Sequence, residues 1–324
     1  MTSNEILHAQ ISELKSLATN RFNELFKDIQ SVLLLDVPDY ANPGDSAIFL
    51  GLLAYFDENK VKVQSAQSRG TLSHTMVRNA DCIVFLGGGS FGGLSPETDE
   101  LRLFVAGSMR RDAILVQCPQ SIVFTSEPTK RQIVETLKRL DNFRIAARDK
   151  TSAEILQGCG IKPLLIPDSC HFLSFQSVDR IKPGRITYLV RNDKEATENF
   201  PSSLDSLWNT DPFYLRLSQR VRLGGRYSEM VAKYFNPTTE KWRAIAEKRL
   251  NRALGIIGDS EVFVTDRLHG MILAASAGKR VVYFDNTNKK VSAYHETWMK
   301  GFPNISRADN LESAIALANE LQTL

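Results

Sequence analysis

Short, uninterrupted apolar runs recur through this chain, and stretches of helical periodicity separate them. In the first half the runs are Val32-Leu33-Leu34-Leu35, Cys82-Ile83-Val84-Phe85-Leu86, Ala113-Ile114-Leu115-Val116, Arg144-Ile145-Ala146-Ala147 and Pro163-Leu164-Leu165-Ile166, with Val61 to Gln64 a weaker one. A strand that is apolar on every residue is buried on both faces, the mark of a parallel sheet covered by helices. The intervening helices are expected over Ser46 to Phe56, Pro128 to Leu140 and Thr151 to Gly158. The fold class implied is α/β, with a doubly wound unit over residues 1–177. That unit includes an N-terminal amphipathic helix, Ile6 to Asp28, in which Leu7, Ile11, Leu14, Ala18 and Leu25 recur at helical spacing. Its mixed charges suit packing on the protein body better than on a membrane surface.

The polar stretch Val178 to Arg185, with Pro183-Gly184, reads as a linker. A second α/β unit is expected over residues 186–324. Its strands are Ile186 to Val190, Val262 to Val264 and Val281 to Phe284, and its helices Glu240 to Leu254, Met271 to Ala277 and Leu311 to Leu321. The C-terminal helix has the freedom to pack back on the first unit. The segment Asn192 to Pro237, with turns at Pro201, Pro212, Gly224 and Gly225, is long for a connection and suits a lid or functional insertion.

Composition narrows the function. The chain has 324 residues, 43% of them hydrophobic, enough for more than one core. A net charge of +3 gives no footprint for nucleic acid. No apolar run approaches the roughly 18 residues of a membrane span, and Met1 to Asn4 lack a secretory n-region. The four cysteines, Cys82, Cys118, Cys159 and Cys170, form no C-x-x-C pair and read as reduced, buried thiols. A cytoplasmic protein is expected. Segment 216–252 carries ten Lys or Arg against three Glu, a net +7 in a chain of +3. A solvated helix face accounts for this, as does contact with an anionic lipid surface or a pyrophosphate-linked acceptor.

Ligands of open α/β sheets gather at the carboxyl ends of strands, where helix N-termini offer free N–H groups. Six polar segments sit at such junctions. Asn42-Pro43-Gly44-Asp45-Ser46 starts a helix, with Asp45 or Ser46 as a simple cap or Asp45 as a base facing a cleft. Gly87 to Gly93, holding Gly88, Gly89 and Ser90, allows close backbone approach to an anion or sugar, though it lacks the nucleotide fingerprint and a Walker lysine. Arg148-Asp149 offers either a local ion pair or an anion ligand, and Pro167-Asp168 has the same layout but reads as structural or interdomain rather than catalytic. Arg191 faces the cleft from the second unit or lies on its surface. Thr265-Asp266-Arg267-Leu268-His269-Gly270 joins a guanidinium for anion binding to an imidazole that can move a proton near neutral pH. In an extended turn the two would point the same way. His269 has no metal-ligand partner nearby in sequence, so no metal is expected. Asp285-Asn286-Thr287-Asn288-Lys289-Lys290 ends the series, with one of two lysines facing inward or the whole segment a solvated loop.

Taken in order, Asn-x-Gly-Asp, Gly-Gly-Gly, Arg-Asp-x-x-Ser, Pro-Asp, Thr-Asp-Arg-Leu-His-Gly and Asp-Asn-x-x-x-Lys resemble the polysaccharide pyruvyl transferase family. The resemblance covers roughly residues 32–298 and is closest to members tied to bacterial exopolysaccharide synthesis. It implies two Rossmann-like domains facing across a cleft, as in GT-B glycosyltransferases, with no metal or organic cofactor. It also implies phosphoenolpyruvate as donor and, as acceptor, a sugar with two free hydroxyls, free or carried on a lipid-linked oligosaccharide, with a pyruvate ketal as product. The basic segment 216–252 would let such a cytoplasmic enzyme sit at the inner face of the plasma membrane. His269 then becomes the acid and Asp45 the group that orients or deprotonates a hydroxyl, or the reverse, with Arg267 anchoring the donor. Arg148, Arg191, Lys290, Leu268, Gly88, Gly89, Ser90, Asn42, Gly44 and Asn286 become substrate contacts. Two other functions fit the scaffold. A nucleotide-sugar glycosyltransferase needs a ribose- or base-binding carboxylate, for which Glu261 and Asp266 are the candidates. A non-catalytic saccharide-binding protein needs none of the chemistry.

Overall fold

Burial on both faces shapes the strands into two parallel sheets in the computed structural model, which describes residues 2–174, 184–193, 195–198, 200, 202–210 and 237–323. The first sheet contains β1 (Ser31–Leu35), β2 (Lys62–Gln67), β3 (Cys82–Phe85), β4 (Gly88–Phe91), β5 (Ile114–Ile122), β6 (Phe143–Ala147) and β7 (Leu164–Leu165), ordered β2-β1-β3-β5-β6-β7 with β4 also paired to β5. In β1, Val32 and Leu34 join one apolar cluster, while Leu33 and Leu35 join another on the opposite face. That is the period of two expected when helices cover both sides. The second sheet contains β8 (Ile186–Leu189), β9 (Val262–Thr265), β10 (Arg280–Tyr283) and β11 (Ile305–Arg307), ordered β11-β10-β9-β8 and parallel throughout. The order of the first sheet reverses direction between β1 and β3, so their carboxyl ends diverge and leave a crevice.

Most expected elements are present with shifted ends. The helices Ser3–Leu25, Pro43–Glu58, Glu127–Lys138 and Lys150–Gly158 lie where helical spacing predicts them. The helices His74–Asn79 and Pro96–Ser108 were not anticipated. The glycine segment is not simply a turn: Gly88–Phe91 runs as a strand against the far end of β5, which continues to Ile122.

The C-terminal helix packs on the second unit. Leu311–Gln322 covers the outer face of the second sheet, where Leu311, Ala314 and Ala318 join Val262, Val264 and Val282. The bridging helix is instead Thr239–Gly258. Its Trp242, Ala246, Leu250, Ala253 and Ile257 share one continuous core with the helix Pro43–Glu58. This helix also settles part of the basic segment, of which 216–236 lie outside the described residues. Arg243 pairs with Asp57 at 2.9 Å, Arg249 donates to the Pro38 carbonyl at 2.7 Å, and Arg252 donates to the carbonyls of Ala41 and Trp208 at 3.1 Å each. Arg249 and Arg252 hold the loop after β1, and Arg243 ties the helix to the end of Pro43–Glu58. The linker stretch 178–183 and most of the 192–237 insertion lie outside the described residues. Among the described residues no helix is long and apolar enough to cross a membrane. All four cysteines are free, three of them buried and Cys159 partly so.

Candidate active site

The carboxyl ends of six strands from both sheets (β1, β3, β6, β8, β9 and β10) open into one cavity of about 440 Å³. Every catalytic or substrate-contact candidate of the pyruvyl transferase reading lies on its wall except Gly44, which stands directly behind the wall against His269.

His269 is the second residue of the helix Leu268–Ser276, whose N-cap is Arg267. Its Nε2 lies 3.2 Å from Oδ2 of Asp168. An ionised carboxylate only accepts, so Nε2 carries a proton and Nδ1 is the nitrogen left for exchange. The same Oδ2 accepts from Arg148 Nη1 at 3.2 Å, and Oδ1 accepts the Cys170 amide at 3.0 Å. Burial alone would raise the Asp168 carboxyl. The charge and hydrogen bond of His269, with Arg148 and the Cys170 amide, outweigh it and hold Asp168 well below the carboxylate range. Behind it, the Asp168 amide donates to the Tyr294 hydroxyl at 2.9 Å, which meets His171 Nε2 at 2.8 Å. Burial pushes His171 down to about 4, so it is neutral and accepts from Tyr294.

Asp168 thus links the two units through His269, in keeping with a structural or interdomain role, while the expectation that His269 lacks metal-ligand neighbours needs correction. Asp168, Cys170 and His269 place ligand atoms within 4.8 Å of one another. Their chemistry does not suit a cation. Burial holds the Cys170 thiol far above its ordinary value, and a guanidinium already occupies the carboxylate oxygen that His269 uses.

Arg148 is not in a local pair with Asp149. Its Nε donates to Ser121 Oγ at 2.8 Å, while Asp149 caps the next helix by accepting from the Ser152 amide. Arg191 is held by Asp193 through two bonds of 2.9 and 2.7 Å and lies 3.3 Å from Glu195. Arg267, only 6% exposed, donates to Asp205 and lies 3.5 Å from Asp193. The tight turn at Lys289, left-handed at φ +50°, separates the two lysines: Lys289 is exposed and Lys290 is buried at the cavity. Lys290 Nζ donates to the Gly89 carbonyl at 3.1 Å and to Glu195 at 3.3 Å. Burial lowers its pKa, and Arg148 and Arg191 add to that against Glu195. Asn286 donates to Glu195 at 3.3 Å. Asp193, Glu195 and Asp205 escaped the sequence reading because no motif marks a carboxylate that a fold brings beside an arginine.

The opposite wall is acidic. Asn42, rather than Asp45 or Ser46, caps the helix, accepting from the Gly44 amide at 2.9 Å. Asp45 Oδ2 accepts from Tyr40 at 2.9 Å and from Asn42 Nδ2 at 2.8 Å. Asp36, which no motif marked, also lines this wall. Ser90 Oγ accepts from Arg102 at 3.2 Å. A Cβ at Gly89 would lie 2.9 Å from Arg148 Nη2, which explains that glycine.

A Cβ at Gly44 would lie 2.8 Å from both Cβ and Nδ1 of His269. Gly44→Ala is expected to displace the imidazole. A misplacement of about 1 Å lowers turnover roughly 100-fold. Turnover within threefold of the parent, with a crystal structure showing His269 unmoved, would refute this.

The carboxylates suggested for nucleotide-sugar binding do not reach the cavity. Asp266 is fully buried and accepts from the Arg191 amide at 2.9 Å, and Glu261 accepts from the Gly184 amide and from Arg280.

Comparison with known proteins gives the same result from another direction. The sequence model of the polysaccharide pyruvyl transferase family matches residues 42–288. A Bacillus subtilis protein assigned as pyruvyl transferase EpsO is 27% identical over 286 residues, covering 84% of this chain and 87% of that one. Pyruvyl transferase 1 of Schizosaccharomyces pombe is 24% identical over 298 residues, covering 86% and 72%. The crystal structure of a functionally uncharacterised Klebsiella pneumoniae protein superposes with a TM-score of 0.60 at 17% identity, covering 92% of this chain and 99% of that one, a likeness of fold alone. With its family match extending from the Asn42 cap to Asn288, the chain belongs to the polysaccharide pyruvyl transferase family.

Proposed function

We propose that this enzyme transfers pyruvate from phosphoenolpyruvate to two hydroxyls of one sugar residue, forming a pyruvate ketal during exopolysaccharide or cell-surface glycan synthesis. One observation carries the reading: Arg148, Arg191, Arg267, Lys290 and His269 converge on a cavity whose other wall holds Asp45. Phosphoenolpyruvate brings a phosphate and a carboxylate, and planar guanidinium groups bind both in bidentate fashion. The two sheets serve as cores of Rossmann-like domains, 1–177 and 186–324, facing across the cavity in a GT-B-like arrangement. The enzyme works in the cytoplasm, where phosphoenolpyruvate is made, on an acceptor at the inner membrane face.

The chemistry follows from those positions. His269 Nδ1 delivers a proton to the methylene carbon as C2 becomes electrophilic. The first hydroxyl oxygen bonds to C2 while Asp45 takes its proton. The bond from C2 to the phosphate oxygen then breaks, its electron pair leaving with phosphate, and the second hydroxyl closes the ketal.

Inorganic phosphate released from phosphoenolpyruvate in the presence of galactosides, glucosides or mannosides tests the reading, with NMR locating the ketal. Release of a nucleoside diphosphate from a sugar nucleotide instead would replace it with a glycosyltransferase. Sugar binding without consumption of phosphoenolpyruvate would leave a binding protein. Within this reading Arg267→Lys loses the bidentate fork and is expected to raise KM for phosphoenolpyruvate by about 10- to 100-fold. An unchanged KM would remove Arg267 from the donor site.

A further inference from the structure

Ketal formation consumes two acceptor hydroxyls, and the roles assigned above take a proton from only one. The acidic wall holds a second carboxylate. Asp36 directly follows β1, at the crevice where the sheet order reverses. Its backbone is left-handed, φ +67°, a conformation that costs a residue with a side chain and that aspartate tolerates better than most. Asp36 lines the cavity along with Asp45 and Tyr40.

The groups around Asp36 leave its carboxylate available. Arg102, on the helix Pro96–Ser108, is the near cation, with Nη2 at 3.9 Å, beyond hydrogen-bond reach. That guanidinium already donates to Asp99 at 2.9 Å, Gln117 at 2.9 Å and Ser90 at 3.2 Å, and it lies over the Phe91 ring at 4.9 Å. Asp99 is bound in turn to the Gly93 amide at 2.6 Å. The facing charges are Asp39 on the loop after β1 and Asp45 in the first turn of the helix Pro43–Glu58, with the Tyr40 hydroxyl turned to Asp45. The Asp36 side chain keeps 24% of its surface exposed.

We propose that Asp36 is the second general base of ketal formation, accepting the proton of the hydroxyl that closes the ring while Asp45 serves the first. The inference rests on the pyruvyl transfer proposed above. As the second hydroxyl oxygen bonds to C2, its proton passes to Asp36. The two hydroxyl protons then replace the one given by His269 and the one that leaves on hydrogen phosphate, so no oxidant or further reactant is needed. Burial raises the Asp36 carboxyl to about 7, with Arg102 opposing and Asp45, Asp39 and Asp99 reinforcing it. A base with that pKa is matched to proton transfer near neutral pH.

The test uses the full-length enzyme, phosphoenolpyruvate and an acceptor that the parent enzyme turns over. Asp36→Asn is expected to lower kcat about 100-fold or more while KM for phosphoenolpyruvate stays within about twofold. The fall in kcat/KM for the acceptor as pH drops through about 7 is expected to vanish in the variant. Asp36→Gly suits the left-handed backbone and leaves room for formate, which is expected to restore turnover in that variant but not in Asp45→Asn. A kcat above half that of the parent, persistence of the limb near 7, or loss of activity in Asp36→Gly that formate does not restore would each overturn the proposal while pyruvyl transfer stands. Absence of phosphate release from phosphoenolpyruvate by the parent enzyme would remove the functional reading itself, and this inference with it.

Discussion

His269→Gln is expected to lower turnover by about three orders of magnitude with the protein still folded, the middle of the range for a lost general acid. The amide of glutamine can still donate to Asp168, so Arg148 keeps its counter-charge and the buried network keeps its geometry. What disappears is the proton on Nδ1, the nitrogen on the Gly44 side of the ring. A purely structural histidine would behave in the opposite way, since an isosteric donor would keep turnover and stability together. Phosphate release in a single turnover, with thermal unfolding measured alongside, distinguishes the two. Turnover above a tenth of the parent's would assign the proton transfer elsewhere.

The parts of the molecule that were legible beforehand share a physical reason. β1 and β3 are apolar on both faces, so their pattern needs no knowledge of neighbours. Arg148, Arg191 and Arg267 were findable because each follows the end of such a strand. β4 was not legible, since four residues rich in glycine become a strand only because β5 extends to meet them. Partner choice was not legible either. His269 and Asp168 are 101 residues apart, and their contact exists only once the two sheets are in place. Nor does sequence reveal that Asp36 takes a left-handed turn at the end of its strand, or that Lys289 does so and sends Lys290 inward.

Asp168→Asn is expected to destabilise the fold by about 3–5 kcal/mol, the usual cost of leaving a buried charge without its partner. Arg148 is 2% exposed and Asp168 1% exposed, so water cannot replace the lost carboxylate. Acid has a related effect in the parent protein. Asp168 is held below its ordinary value, so its contribution is complete above the unfolded carboxyl's pKa of about 3.9 and is lost as pH falls through the folded value. His171 acts earlier. Its imidazole is depressed to about 4, so the unfolded chain takes up a proton first, and stability declines between the unfolded pKa of about 6.5 and that value. Urea unfolding at pH 7 measures the substitution free of both effects. The decisive comparison is with Arg148→Met and the double variant. If Asp168 serves the fold chiefly by neutralising Arg148, removing both charges costs much less than the sum of the single losses. Activity would not return in the double variant, because the arginine proposed to bind the donor and the carboxylate that holds His269 Nε2 are both gone. Additive losses would show that Asp168 stabilises the fold through Cys170 and His269 alone, and would separate Arg148 from the stability of the site.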